Sequence, residues 1–335
     1  MRDRPRAVFF GTPAFAATVL RRLLAPDSPV EVVAAVTQPD KPTGRSQVLT
    51  APPVKRLALE HGLRVLQPPS LRRPAAASAL ARLRPELGIV AAYGKILPPE
   101  VLDLAPLGYL NVHASLLPRW RGAWPVGAAI LAGDTETGVS IMKLDPGMDT
   151  GPVLAERREP IRPDDTTGSL EARLASLGAA LLCEVLPGYL AGTIVPQAQD
   201  DRAATYSHPV RKADGLLDWT KPAADLERQV RAMQPWPGAF TTWDGKQLRV
   251  LRSHVAGEGE AAIPPEAPPG LVVPAGRRAA VVSGRGTALV LDEVQLEGRA
   301  PVPIASFLNG YRTFIGSRLG REPAPPAPGD TRAPG

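Results

Sequence analysis

Apolar residues in the first half of the chain fall into short runs separated by stretches with a helical repeat. Residues 6–10 and 30–36 are β-branched or aromatic runs bounded by turn formers, and a helix is predicted over 13–24 between them. A second helix, 51–61, is stopped by Gly62 and leads into a short strand at 64–66. Pro74 opens a third helix, 74–84. Residues 87–93 are almost wholly apolar, as a strand covered on both faces requires. A strand at 108–113, a helix at 125–131 and a strand at 138–144 follow. Leu170, Leu174, Leu177, Leu181 and Val185 then recur at helical spacing after the turn-like 164–167, so a long amphipathic helix closes the domain. Strands alternating with helices predict a Rossmann-like, doubly wound α/β domain with a mostly parallel sheet.

Beyond this helix the rhythm changes. Residues 190–208 lack periodicity and read as a linker. One helix, 223–233, precedes short strands at 239–243, 248–254, 270–273, 279–283 and 288–293, with Gly and Pro between them. Close spacing of short strands predicts a small OB-like β-barrel. The expected organisation is a catalytic domain over 1–189, the linker, a second domain over 209–320 and a disordered tail over 321–335, rich in Pro, Gly and Ala.

A length of 335 residues suits two domains, and a hydrophobic content of 44% excludes wholesale disorder. The single cysteine, Cys183, cannot form an intramolecular disulfide or build a cysteine zinc site or iron–sulfur cluster, which fits a reducing cytoplasm. It falls within the long helix as a small hydrophobe. Arg2, Arg4 and Arg6 before an apolar stretch imitate an export signal, but Gly11-Thr12-Pro13 interrupts that stretch, and no apolar run is long enough to span a bilayer. The net charge of +6, with most of the excess beyond residue 201, permits a polyanionic partner such as RNA.

The turn GTPAFA occupies the place of a dinucleotide phosphate loop without its glycines, and no Walker, HExxH or GxSxG motif occurs. The informative stretch runs from Gly108 to Pro118. Side chains two apart on a strand face the same way, so Asn111 and His113 project together from a strand's carboxyl end, where open α/β sheets place ligands. Asp149, in DPGMDTG, lies in a loop whose glycines permit a tight return toward the histidine. An amide donor, an imidazole and a carboxylate supply what acyl transfer to an amine needs: oxyanion stabilisation, proton movement and orientation of the ring.

Each of these residues also has a structural reading, with Asn111 and His113 satisfied by backbone and Asp149 in an Asx turn. A metal site on His113 and Asp149 is disfavoured because His61, His208 and His254 fall elsewhere, and a Ser115–His113–Asp149 hydrolase lacks the elbow glycines. Lys41 and Arg45, in the turn-rich loop 38–46, suit either a phosphate backbone or solvent. Arg119 and Arg121 flank Trp120, where stacking, phosphate contact and ion pairing are all open.

The string NVHASLLPRWRGAWPV resembles the signature of the formyltransferases that use 10-formyltetrahydrofolate: an Asn-x-His strand, SLLP and a Tyr-Arg-Gly-Ala-Ala-Pro run. VFFGTPAF, VTQPDKPTGR, AAYGKILP, MKLDPGMDTGPVL, WTKPAADLERQVRAMQPWPGAF and FLNG are similar, in the same order, to the two-domain, tRNA-acting members, so the likeness runs over about residues 7–318. The resemblance implies Asn111, His113 and Asp149 as catalytic residues, and Ser115, Leu116, Leu117 and Pro118 as a folate-binding stretch. It implies contact of Arg45 with the acceptor stem of initiator tRNA, with Lys41 in the same loop and Lys212 in a segment near the tRNA. The implied reaction moves the formyl group of 10-formyltetrahydrofolate, without a metal, onto the amino group of initiator methionyl-tRNA, in a cytoplasmic monomer serving translation initiation.

Trp120 stands where Tyr is usual and Trp124 where Ala is usual, which implies a folate-pocket wall of different shape. Ser46-Gln47-Val48 replace the usual lysines, which implies tRNA contact shifted toward the barrel. Formyl transfer to another amine, such as an amino-sugar nucleotide, and a non-catalytic folate- or RNA-binding protein remain open as alternatives.

Overall fold

The computed structural model describes residues 4–43 and 47–320. Its first part runs β1 (Arg6–Gly11), α1 (Ala14–Leu23), β2 (Glu31–Val36), β3 (Lys41–Thr43), β4 (Val48–Thr50), α2 (Pro53–Glu60), β5 (Arg64–Leu66), α3 (Pro74–Ala81), β6 (Leu87–Ala91), α4 (Pro99–Leu102), β7 (Tyr109–His113), β8 (Arg121–Gly122), α5 (Pro125–Ala132), β9 (Glu136–Lys143), β10 (Val153–Pro160), α6 (Thr167–Leu190) and β11 (Tyr206–Ser207). Proline at the first position starts α2 and α3, where its missing N–H loses no helical bond. Gly62, at φ +66, ends α2 in the left-handed region, and the N–H of Leu63 returns to the Ala58 carbonyl at 2.8 Å.

Seven strands form one sheet in the order β10-β9-β7-β6-β1-β2-β5. From β5 to β7 the pairing is parallel, whereas β9 runs antiparallel to β7 and β10 antiparallel to β9. The apolar runs of β1 and β6 are buried throughout, apart from Arg6 at the start of β1. Chain growth turns back at β1: β2 and β5 are added on one side, β6 and β7 on the other. The crevice beyond the carboxyl ends of β1 and β6 is therefore the switch point at which such sheets bind ligands. In α6, Gly178 has no side chain to meet Val112 of β7 and Val139 of β9, which a Cβ there would approach to 2.6 and 3.0 Å, so the helix lies close on the sheet.

The chain divides into two compact units, one of residues 1–129, 134–163 and 168–209, the other of 130–133, 164–167 and 210–335. The second unit contains α7 (Ala223–Ala232), β12 (Ala239–Trp243), β13 (Lys246–Val255), β14 (Val272–Ala275), β15 (Arg278–Ser283), β16 (Thr287–Leu296), β17 (Val302–Pro303) and α8 (Ile304–Gly310). The expected OB-like β domain is present as a six-stranded antiparallel sheet, ordered β12-β13-β16-β15-β14, with β17 paired to β16. Leu226 and Val230 of α7 are buried, as are Leu248, Val250, Val290 and Leu291 of the sheet. Trp243, Phe307, Tyr311 and Phe314 stack edge to face, with centroids 5.1–5.7 Å apart in the edge-to-face pairs.

Several elements depart from the sequence reading. The β3–β4 hairpin is exposed and lacks an apolar face. β10, at a sheet edge, carries four consecutive charged residues, Glu156 to Glu159, and so shows no long apolar run. The segment 190–208, read as a linker, includes a 3-10 turn at Asp201–Ala203 and contributes β11, which pairs with β8 in the first unit. α8 is too short for its period to show. The tail 321–335 lies outside the described residues. Cys183 is partly buried, and burial pushes its thiol up, as befits a packing residue.

On the second unit, His254 of β13 lies between Asp292 of β16, at 2.8 Å, and Glu260, at 3.0 Å, and Arg278 of β15 pairs with the same two carboxylates. Partial burial opposes the imidazolium, but its hydrogen bonds to Asp292 and Glu260 prevail and raise its affinity for the proton above the usual 6.5. A raised folded-state value stabilises the fold fully below 6.5, and the contribution fades as pH rises through the raised value. His254→Gln should therefore lower Tm more at about pH 5.5 than at about pH 9, as read by thermal unfolding in matched buffers.

Candidate active site

The carboxyl ends of β1, β6 and β7 border a cavity of about 560 Å³. Pro13 and Phe15 follow β1, residues 92–97 follow β6, and Val126 and Leu144 complete an apolar lining. One wall is polar. Asn111, His113 and Asp149 all line the cavity, so the structure brings together the three residues expected to carry the chemistry.

Two features of the sheet put them there. The period of a strand points Asn111 and His113 of β7 to one side. Because β9 pairs with β7 and returns as β10, the loop of Asp145 to Gly151 is a hairpin connection beside β7, with Asn111 opposite Met142 and His113 opposite Ser140. The Asp145 carboxylate accepts from the Thr150 hydroxyl at 2.8 and 2.9 Å and from the Gly147 N–H at 3.0 Å, closing the loop on itself. Gly151 is required there, since a Cβ would come within 1.9 Å of the Lys143 carbonyl.

Asp149 is the hub. Its Oδ2 accepts from the backbone N–H of Gly122 at 2.8 Å and lies 3.6 Å from His113 Nδ1. Its Oδ1 accepts from Asn111 Nδ2 at 3.4 Å. Asn111 and His113 are 8% and 6% exposed, so this polar cluster works in a medium of low dielectric. His113 Nε2 lies 3.0 Å from the Trp120 carbonyl, an acceptor only, so Nε2 carries a proton and Nδ1 is the nitrogen that faces Asp149. Ala92, Trp120 and Asp149 all adopt left-handed backbone, at φ 43, 57 and 55; such strain in non-glycine residues gathers at functional sites.

The stretch Ser115 to Pro118 does not line the cavity. Ser115 is fully buried and its hydroxyl donates to the Arg119 carbonyl at 2.6 Å, while the Leu117 N–H donates to Ser140 Oγ at 3.0 Å. These residues lock the chain between His113 and Arg121, which also leaves Ser115 no part in a hydrolytic triad. The side chains of Trp120 and Trp124 are likewise absent from the lining of this cavity. Trp120 donates through Nε1 to Asp134 at 2.8 Å, and Trp124 packs over Gly127.

Arg119 forms an exposed ion pair with Asp134 at 2.7 Å, and Arg121 is buried at 1% exposure with its guanidinium bonded to Gln199 and Asp201. Lys41 on β3 and Lys212 in the turn Lys212–Gly215 are exposed, and Arg45 lies outside the described residues. Among the described residues no group of three or more His, Cys, Asp or Glu is placed to hold a metal, and no helix is long and apolar enough to cross a membrane.

Comparison with known proteins identifies the class. Residues 5–186 match the formyl transferase family, and residues 209–312 match the formyl transferase C-terminal domain. The protein is a formyl transferase enzyme. It is 48% identical over 315 residues to methionyl-tRNA formyltransferase of Roseiflexus castenholzii, covering 94% of this chain and 99% of the relative. It is 46% identical over 323 residues to that of Pseudomonas syringae pv. syringae, covering 96% and 100%. The chain belongs to the methionyl-tRNA formyltransferase family.

Solved structures share the fold at lower identity. A Helicobacter canadensis N-formyltransferase in complex with folinic acid and dTDP-3-aminofucose superposes with a TM-score of 0.61 at 15% identity, over 86% of this chain and 98% of that one. HypX from Aquifex aeolicus in complex with tetrahydrofolic acid gives 0.59 at 17% identity, over 93% of this chain and 48% of that one.

Two site residues were not legible in the sequence. Gln199 belongs to the aperiodic segment and touches the Asp149 loop through backbone carbonyls. Glu171, one turn into α6, lines the cavity among residues whose period reads as ordinary amphipathic helix. Burial pushes its carboxyl above the usual 4.5. An acid whose folded-state value is raised destabilises the fold once pH exceeds its unfolded value. Glu171→Gln should therefore raise Tm near neutral pH, and the gain should vanish below about pH 4.

Proposed function

We propose that the enzyme transfers the formyl group of 10-formyltetrahydrofolate to the amino group of the methionyl moiety of initiator methionyl-tRNA. The reading rests on one observation above all: Asn111, His113 and Asp149 meet on one wall of a largely apolar cavity. Its volume of about 560 Å³ lies in the range of small-molecule sites, and the reduced pterin of a tetrahydrofolate, a compact bicycle, suits its apolar walls. The donor cleft is assigned to the lining residues 92–97, 144–145 and 147–149 rather than to Ser115 to Pro118.

In the reaction the amine attacks the formyl carbon, the N–H of the amine loses a proton, and N10 of the departing tetrahydrofolate gains one. Charge gathers on the formyl oxygen as the carbon becomes tetrahedral. Asn111 has a second amide N–H beyond the one shared with Asp149, and it supplies an oxyanion donor. His113 acts through Nδ1, since Nε2 is tied to Trp120, and a proton on Nδ1 is held by the carboxylate of Asp149. Asp149 orients the ring and passes the amine proton onward through water. No metal is required by this scheme.

The acceptor assignment draws on the second unit and on the basic residues Lys41, Arg45 and Lys212, which we assign to the tRNA backbone. Label from 10-formyltetrahydrofolate should appear on initiator methionyl-tRNA in preference to methionyl elongator tRNA and free amino sugars. Label on an amino sugar would displace the acceptor assignment and leave the catalytic one standing. Asn111→Ala should reduce kcat by about 10²–10³-fold, the usual loss for one oxyanion donor, and near-normal turnover would remove it from that role. Lys41→Ala should weaken tRNA binding and flatten the log–log salt slope by about one unit; an unchanged slope would deny it a phosphate contact.

A further inference from the structure

The segment 190–208 carries no motif, yet it crosses behind the catalytic loop and is tied to it. Gln199 Nε2 donates to the carbonyl oxygens of Asp149 and Gly151, at 2.9 and 2.6 Å. Its Oε1 accepts twice from Arg121, from Nε at 3.0 Å and Nη2 at 2.9 Å. Arg121 is 1% exposed; its Nη2 also donates to Asp201 Oδ1 at 2.8 Å and its Nη1 to the Tyr206 hydroxyl at 3.4 Å.

This arrangement leaves the Gln199 amide no choice of orientation. A guanidinium offers only donors and so claims the amide oxygen, while carbonyls offer only acceptors and claim the nitrogen. The two carbonyls belong to the 149–150 and 151–152 peptides, so one side chain fixes the peptide planes that bracket Thr150 and Gly151. That stretch starts at Asp149, whose φ of 55 lies in the left-handed region that few residues other than glycine adopt. On the other side, the Asp149 carboxylate is aimed by the Gly122 N–H, and Gly122 is the neighbour of Arg121 in β8. The buried arginine thus sets both clamps on the aspartate: the carboxylate through its own strand, and the backbone through Gln199.

We propose that Gln199, oriented by the buried Arg121, is a positioning residue for the Asp149 carboxylate. Gln199 touches neither the cavity nor a substrate; it acts on the reaction through Asp149 alone. The proposal rests on the catalytic reading of Asp149. Its signature is a loss in kcat that leaves substrate affinity in place and disappears when Asp149 is already disabled.

The test is a double-mutant cycle on the full-length enzyme. Gln199→Glu keeps an acceptor for Arg121 but turns an oxygen toward the two carbonyls, and Gln199→Met keeps the length without hydrogen bonds. Where either variant folds poorly, the other decides. Each should lower kcat by on the order of 10- to 100-fold, as expected when a reacting group shifts by about an ångström. KM for both substrates should stay within about threefold, since ground-state binding is untouched. Asp149→Asn should slow the reaction by itself, and adding Gln199→Glu should cost nothing further, because residues acting as a unit are not additive.

Near-parental kcat in the Gln199 variants beside a slow Asp149→Asn enzyme overturns the proposal alone. So does a double variant that loses the full product of the two factors, which marks Gln199 as structural support acting elsewhere. Near-normal turnover in Asp149→Asn overturns the catalytic reading itself, and the proposal with it.

Discussion

The site depends on how one carboxylate is held. Asp149 sits in a hairpin connection, in left-handed backbone, on the polar wall of the cavity. A partly buried carboxylate needs its oxygens satisfied, and here the shortest bond is to a backbone N–H, that of Gly122. Placing that N–H requires β8 to lie against β11: the Gly122 φ of +110 and its close pass under the Ser207 carbonyl, 2.4 Å from where a Cβ would stand, admit no side chain. The antiparallel turn of β9 into β10 does the rest, returning the loop to the side of β7. A continuation of the parallel pattern would carry the chain away over a helix and leave Asn111 and His113 without their acid.

The parts of the fold legible in the sequence are those where burial acts on a long run. β1, β2, β6 and β7 are apolar because helices cover both faces, and α6 shows its period over 24 residues. β10 was missed because it is an edge strand whose outward residues are charged, and the β3–β4 hairpin because both strands are exposed. In the site, Asn111 and His113 announce themselves through the two-residue period of β7, and Asp149 through its glycine-flanked loop.

The stretch Ser115 to Pro118 stands apart from the cavity lining. A motif marks a stretch whose identity matters without saying whether it touches ligand or shapes the chain, and here Ser115 and Leu117 are bonded to Arg119 and Ser140. Gln199 left no trace at all. Its partners are backbone carbonyls and a distant arginine, and no local rule ties a glutamine in an aperiodic stretch to a guanidinium 78 residues away.

The distances within the site divide into two sets. Two of the three groups are bound at full hydrogen-bond strength to the backbone, Asp149 to Gly122 at 2.8 Å and His113 to Trp120 at 3.0 Å, while the links between the three are slack, 3.4 Å from Asn111 to Asp149 and 3.6 Å from His113 to Asp149. Had the three side chains been bound tightly to one another, an entering formyl oxygen would have to break a strong bond to recruit a donor, and part of its stabilisation would be lost in reorganisation. With His113 and Asp149 anchored in the backbone, the imidazole and the carboxylate are already aimed and only the weak contact of Asn111 yields, a condition under which fixed dipoles stabilise developing charge well. Catalytic hydrogen bonds that are long before substrate enters and tighten afterwards follow from the same design.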